Sequence, residues 1–190
     1  VLLLIWITPS FAQTDTVKPE ATKAVTYANN FLVAGLMGKH EEGNTFSFTT
    51  NHGVRYGRLF SGLGVGYDSY RDWNVLQAYA FGSIDVARIR TNAIYLFMSG
   101  GYSTAMYTPE LIGTPSFEIK GGGNFNTMLG YRIKANQYSI YFATGYKFQR
   151  INYQYDNYYY WFRGGDMRTG NTEVQMDMNR FVIQIGFGWH

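Results

Sequence analysis

Cysteine is absent from this chain of 190 residues, which excludes a disulfide framework, a thiolate metal site and a lipid-bearing cysteine behind a leader. Charged residues make up only 15%, and a net charge of +3 is too small and too dispersed to argue for nucleic acid. Apart from a short segment at the start, no apolar run is long enough for a transmembrane helix. What the chain does contain is 17 tyrosines, 22 glycines and an aromatic content of 18%, all well above ordinary usage. Low charge, abundant Tyr and Gly, and no helical span together favour a membrane β-barrel over a soluble domain.

The stretch Leu59-Phe60-Ser61-Gly62-Leu63-Gly64-Val65-Gly66-Tyr67-Asp68 carries the pattern most clearly. Read with period two, Leu59, Leu63, Val65 and Tyr67 share one face, and Gly62, Gly64, Gly66 and Asp68 the other. A soluble strand buries its large residues, but here the opposite face holds glycine and one carboxylate, nothing to dissolve it in water. Glycine inside a strand marks a place where something bulky must come close. A narrow barrel in lipid satisfies both facts: large side chains meet acyl chains, and the glycine face leaves the lumen free for long side chains opposite.

Val1 to Trp6 forms an apolar segment, and Ser10-Phe11-Ala12 supplies the small residues read by signal peptidase, so residues 1–12 are predicted to be a signal peptide cleaved after Ala12. The chain lacks an initiator methionine and a basic leader, and the segment reads as truncated at its front. Residues 13–30, polar and without a period, read as a periplasmic tether. Residues 31–190 then read as an all-β domain, an eight-stranded antiparallel up-and-down transmembrane β-barrel.

The predicted strands cover about 31–39, 45–56, 59–67, 73–86, 93–102, 121–133, 138–149 and 174–189. The seventh alternates best, with Tyr138, Ile140, Phe142, Thr144, Tyr146 and Phe148 on one face and Ser139, Ala143, Gly145, Lys147 and Gln149 on the other. The last does the same, Phe181, Ile183, Ile185, Phe187 and Trp189 against Arg180, Gln184, Gly186 and Gly188. The first is ambiguous in its facing, because Leu32, Val33, Ala34 and Leu36 are all apolar. His52 falls on the lipid side, a cost unless it sits near the interface. Ala87 to Asn92 reads as a basic turn, Asp68 to Asp72 as a polar loop, and 103–118 and 150–172 as long loops. Short turns at one end and long loops at the other place both termini in the periplasm.

Three pieces carry a family likeness: Gly-Leu-Gly-Val-Gly-Tyr-Asp in the third strand, the terminal Phe-Val-Ile-Gln-Ile-Gly-Phe-Gly-Trp, and the Ala-Gln cleavage junction. They resemble the small outer-membrane barrels of Gram-negative bacteria, the OmpA/OmpX-like and PorT-like domains, over residues 31 to 190. The resemblance implies an outer-membrane location and a final aromatic strand read by the barrel-assembly machinery. Phe187 and Trp189 look like that signal, although His190 follows the last aromatic. It also implies lipid and lipopolysaccharide as surroundings, and it extends to the barrel only, without a peptidoglycan-binding domain.

The predicted lumen collects Arg55, Asp68, Asp85, Arg132, Lys147 and Arg180. A barrel of this size is just wide enough to be filled by side chains, so these charges are read as a salt-bridged plug, with a narrow conduit or passive pore as the alternative. Lipid-modifying enzymes share the architecture and use Ser, His and a carboxylate. This chain offers His40 beside Glu41 and Glu42, with Ser47 nearby, at spacings that give no reason to expect a triad. No catalytic residue, metal site or cofactor is predicted, and the Gly-rich pieces lack the Lys-Ser/Thr of a phosphate loop. The aromatic run Tyr153, Tyr155, Tyr158, Tyr159, Tyr160, Trp161 and Phe162 is the candidate surface for a protein or glycan partner. There the outward positions of the seventh strand become Asn152, Gln154 and Asp156, so the strand has left the hydrocarbon or carries a bulge. The overall expectation is a non-enzymatic structural or accessory barrel with partner-binding outer loops. A soluble lipocalin-like barrel is the contrasting reading, with the large residues inside.

Overall fold

The computed structural model describes residues 25–38, 43–70, 73–107, 117–159 and 168–189. Eight strands close into a barrel, each paired antiparallel with its neighbours in chain order, and β1 pairs β8 to seal the seam. They are β1 (Val25–Met37), β2 (Asn44–Tyr56), β3 (Leu59–Ser69), β4 (Trp73–Ile89), β5 (Asn92–Tyr107), β6 (Phe117–Ala135), β7 (Tyr138–Tyr159) and β8 (Arg168–Trp189).

The large residues are outside. Phe142, Ile183, Ile185 and Phe187 are 44%, 49%, 52% and 44% exposed, which rules out the soluble reading that needed them enclosed. With period two imposed by the pleat, the alternate residues turn inward, and each strand reads apolar-out and mixed-in. The facings predicted for β3, β7 and β8 hold across the span. The ambiguous first strand resolves with Leu32, Ala34 and Leu36 inward and Phe31, Val33 and Met37 outward. Glycine on the inner face acts as expected. A Cβ on Gly64 would overlap the ring of Tyr79 and the amide of Asn51, and one on Gly130 would overlap Tyr95.

Several boundaries differ from the sequence reading, and the reason is common to them. Hydrogen-bonded pairing continues wherever a neighbour offers a partner, whatever the side chains. β1 therefore begins at Val25, inside the segment read as tether, because Val25 to Asn30 pair with Tyr56 back to Asn51. Asp68 and Ser69 belong to β3 and not to a loop, pairing with Val75 and Asn74. The basic turn shrinks to Arg90-Thr91, and strand extends into both of the long loops predicted at 103–118 and 150–172, β5 running to Tyr107 and β7 to Tyr159. Residues 1–12 and His40 lie outside the described residues.

The barrel is lopsided. β3 has 11 residues, whereas β7 and β8 have 22 each and stay in register from Tyr138–Trp189 to Tyr159–Arg168. No bulge accompanies the change of character at Arg150, so of the two explanations offered by the sequence only departure from the hydrocarbon stands for this pairing. The bulge lies on the other neighbour, between Ile119 and Gly121 of β6, where Gly121 takes a φ of 68° that suits glycine.

Candidate functional site

The lumen is built as three layers. Nearest the short turns, Asp85 on β4 is the centre of a cationic cage. Its Oδ2 accepts from Arg132 Nη2 at 2.9 Å and from Arg88 Nε and Nη2 at 3.1 and 2.9 Å, and Arg55 Nη1 lies 3.7 Å from Oδ1. Three guanidinium groups thus surround one carboxylate. Above this layer Leu32, Phe60, Phe81, Phe97 and Met128 fill the bore, with Phe60 and Phe81 edge to face at 4.9 Å and Phe81 stacked on Phe97 at 5.7 Å. The third layer is centred on Asp68 of β3. Lys147 Nζ donates to it at 2.8 Å across the bore, Gln77 Nε2 at 3.2 Å and the Tyr70 hydroxyl at 3.1 Å. Arg180 lies beside it, its guanidinium 5.3 Å from the Tyr70 ring and donating to the Gly43 carbonyl at 3.0 Å.

All six charges named from the sequence therefore face the lumen, but in two sets separated by an apolar layer. Arg55, Asp85 and Arg132 lie in one set, and Asp68, Lys147 and Arg180 in the other. Arg88, which the sequence reading left in a turn, is the missing member of the first set. The bulge between Asp85 and Ala87 shifts the parity of β4 and brings Arg88 back against Asp85, a displacement that strict alternation could not foresee. Gln77 and the Gln149–Ser103 hydrogen bond were likewise unmarked as partners, since an amide at an inward position carries no charge signal.

The lumen cavity bounded by Leu32, Arg55, Phe60, Arg132, Tyr141 and Gln184 measures about 10 Å³. That is about the minimum a single water requires. A larger concavity of about 1160 Å³ is lined by Phe31, Val33, Phe48, Val65, Leu76 and Ile185 among others, and these side chains belong to the outer wall.

Above the third layer the strands project, and their two faces exchange character. Inward now lie Ile151, Met178, Met176 and Ile119, with Tyr153 packed on Trp73 at 5.3 Å between ring centroids. Outward lie Arg150, paired through Nε and Nη2 with Asp177 at 2.7 and 2.9 Å, and Lys120, paired with Glu173 at 2.8 Å. These pairs are exposed on the outer face. Hydrogen bonding to its cation holds each carboxylate below its usual value, and the partner raises each cation above its own.

Of the aromatic run, Tyr153 is therefore an inward packing residue and not a free surface group. Tyr155, Tyr158 and Tyr159 lie on the backbone of β7 as it pairs with β8, and Tyr160, Trp161 and Phe162 lie outside the described residues. His52 is on the outer wall, level with Asn29, which in turn pairs with Trp189. Its ring bonds the Tyr27 hydroxyl at 2.7 Å and Thr50 Oγ1 at 3.0 Å, so two neighbouring hydroxyls supply the polar partners that lipid would not. Ser47 is buried in the barrel, and His40, Glu41, Glu42 and His190 lie outside the described residues.

No family model matches the sequence, and no curated protein matches it. Solved structures do resemble it. The crystal structure of Neisserial surface protein A superposes with a TM-score of 0.57 at 14% identity, over 88% of this chain and 99% of that one. The solid-state NMR structure of the outer-membrane protein AlkL in lipid bilayers matches at 0.48 and 14% identity, over 94% of this chain and 95% of that one. The fold is thus that of the small eight-stranded outer-membrane barrels.

Proposed function

We propose that this chain is an integral outer-membrane protein whose barrel is a closed, non-enzymatic body, and whose projecting β5 to β8 wall is the part that meets a partner. The observation that carries the reading is the lumen. A bore blocked by two ion-paired layers and an aromatic layer, with a cavity of about 10 Å³, is built to be shut. The alternative of a passive pore requires several of these side chains to move together. In the orientation we favour the termini and short turns are periplasmic and the long β7–β8 hairpin is outside, as short-turn and long-hairpin ends are disposed in barrels of this kind. The outer ends of β7 and β8 are then the part that meets a protein or glycan, and the aromatic-rich sequence that follows Gln154 is of the residue type that supplies contact area at little entropic cost.

Two experiments test this reading. Planar bilayers holding the purified barrel should show no steady conductance; stable single-channel steps would replace the closed body with a pore. Deleting Tyr155 to Asp166 should leave heat-modifiable gel migration intact while abolishing retention of the partner that copurifies with the full chain in mild detergent. A partner retained equally by the deletion would remove the hairpin from the proposal.

A further inference from the structure

The short-turn end carries more positive charge than its plug needs. Arg55, Arg88 and Arg132 share the single carboxylate of Asp85, and outside them Arg58, Arg90 and Lys134 are exposed at the rim. Arg58 has no acidic partner among the described residues. Arg90 sits in a two-residue turn with a φ of 56°, a conformation in which Gly or Asn is the ordinary choice, as Asn136 at φ 55° illustrates in the β6–β7 turn.

This rim meets the outer wall in a defined groove. About 350 Å³ of space lies between Tyr56, Gly57, Arg58, Leu59, Ile84 and Arg88. Leu59 and Ile84 are directly paired across β3 and β4, and both point outward, so the floor is apolar and continuous with the lipid-facing wall. Arg88 closes one side and is fixed there by donating to the Gly57 carbonyl at 2.6 Å and to Asp85. Arg58, which is exposed, also lines the groove. An apolar floor beside the side chains of Arg58 and Arg88 complements one kind of occupant.

We infer that this groove holds an anionic glycerophospholipid of the periplasmic leaflet, its phosphate between Arg58 and Arg88 and an acyl chain along Leu59 and Ile84. The leaflet follows from the orientation proposed above, whereas the groove and its charge do not depend on it. A measurement in detergent therefore separates the two.

The full chain, folded in mild detergent, is titrated with dioleoyl phosphatidylglycerol, with phosphatidylcholine of the same chains, and with lipid A, and retained lipid is counted by native mass spectrometry. Phosphatidylglycerol should be retained over phosphatidylcholine by about fivefold per engaged arginine, the factor one cation near an anionic lipid surface contributes. Arg58→Gln should lose that preference, Arg58→Lys should keep most of it, and Lys120→Gln at the opposite end should change nothing. Inorganic phosphate at millimolar concentration should fail to displace the lipid. Equal retention by the wild type and Arg58→Gln overturns the site, displacement by phosphate overturns its assignment to a lipid, and preference for lipid A overturns the assigned leaflet. Heat-modifiable migration confirms that each variant is folded. Protease accessibility of the short turns in intact cells tests the orientation by itself.

Discussion

β8 carries two outward patterns, and its two halves show what lipid and water would each demand. From Phe181 to Trp189 the odd positions point outward as Phe, Ile, Ile, Phe and Trp, while Arg180 and Gln184 face the lumen. From Asn179 back to Glu173 the same odd positions still point outward, now as Asn, Asp, Gln and Glu, and the inward face becomes Met178, Met176 and Val174. β7 makes the same exchange between Phe148 and Arg150. The backbone does not register the change, since the pairing runs unbroken through it. The side-chain pattern answers to the solvent outside: lipid selects apolar residues outward, water selects them inward. One strand thus carries the side-chain pattern of a membrane barrel in one half and of a soluble one in the other.

The largest effect should come from the lumen within the span. Asp85→Ala leaves Arg55, Arg88 and Arg132 facing one another with no carboxylate, and losing one partner of a buried charge set costs about 3–5 kcal/mol. Urea unfolding in lipid vesicles should show that loss, and a midpoint equal to the wild type would mean that the arginines find water or another anion.

The outer face provides the sharpest contrast between the halves. Ile185→Arg should cost about 2–4 kcal/mol near the bilayer midplane, whereas Gln175→Arg on the same face of the same strand should lie within about 0.5 kcal/mol of wild type. Equal costs at the two positions would erase the distinction between the media. A smaller effect is expected from Ile151→Val in the projecting core, about 0.5–1.5 kcal/mol. It should appear as faster amide exchange in the outer ends of β7 and β8 while the spanning residues stay protected.

The smallest effect concerns the exposed ion pairs. Glu173 and Asp177 have lowered values in the folded state, so their contribution is present above the ordinary carboxylate range of about pH 4 and is lost as pH falls through the lowered values. Acidification below that range should increase proteolysis of the projecting hairpin without altering heat-modifiable migration, and Asp177→Asn should reproduce part of that increase at neutral pH.

What was legible in the sequence divides along the same line. In the span, lipid outside and a packed lumen inside force strict alternation, so the facing of Phe142 and Ile183 and the six lumen charges could be read from parity alone. Beyond the span, loss of the apolar stripe at Asn152 and Gln154 imitates a loop, although the backbone continues as strand to Tyr159. Strand ends were missed for that reason, and also at Val25, whose polar neighbours conceal its pairing with Tyr56. Arg88 was hidden by a bulge, which changes parity without leaving a residue signature. The division of the charges into two sets depends on strand stagger, and the sequence pattern of any single strand does not contain it.

Because the chain has no cysteine, single cysteines placed along the outward face of β8 report on one position each. Introduced at 173, 175, 177, 181, 183 and 185 in the folded barrel in vesicles, they can be treated with a membrane-impermeant maleimide. Labelling should be complete at 173, 175 and 177 and absent at 181, 183 and 185, with the step falling at Asn179. Uniform labelling along the strand, or protection that continues to 173, would contradict the two-media account.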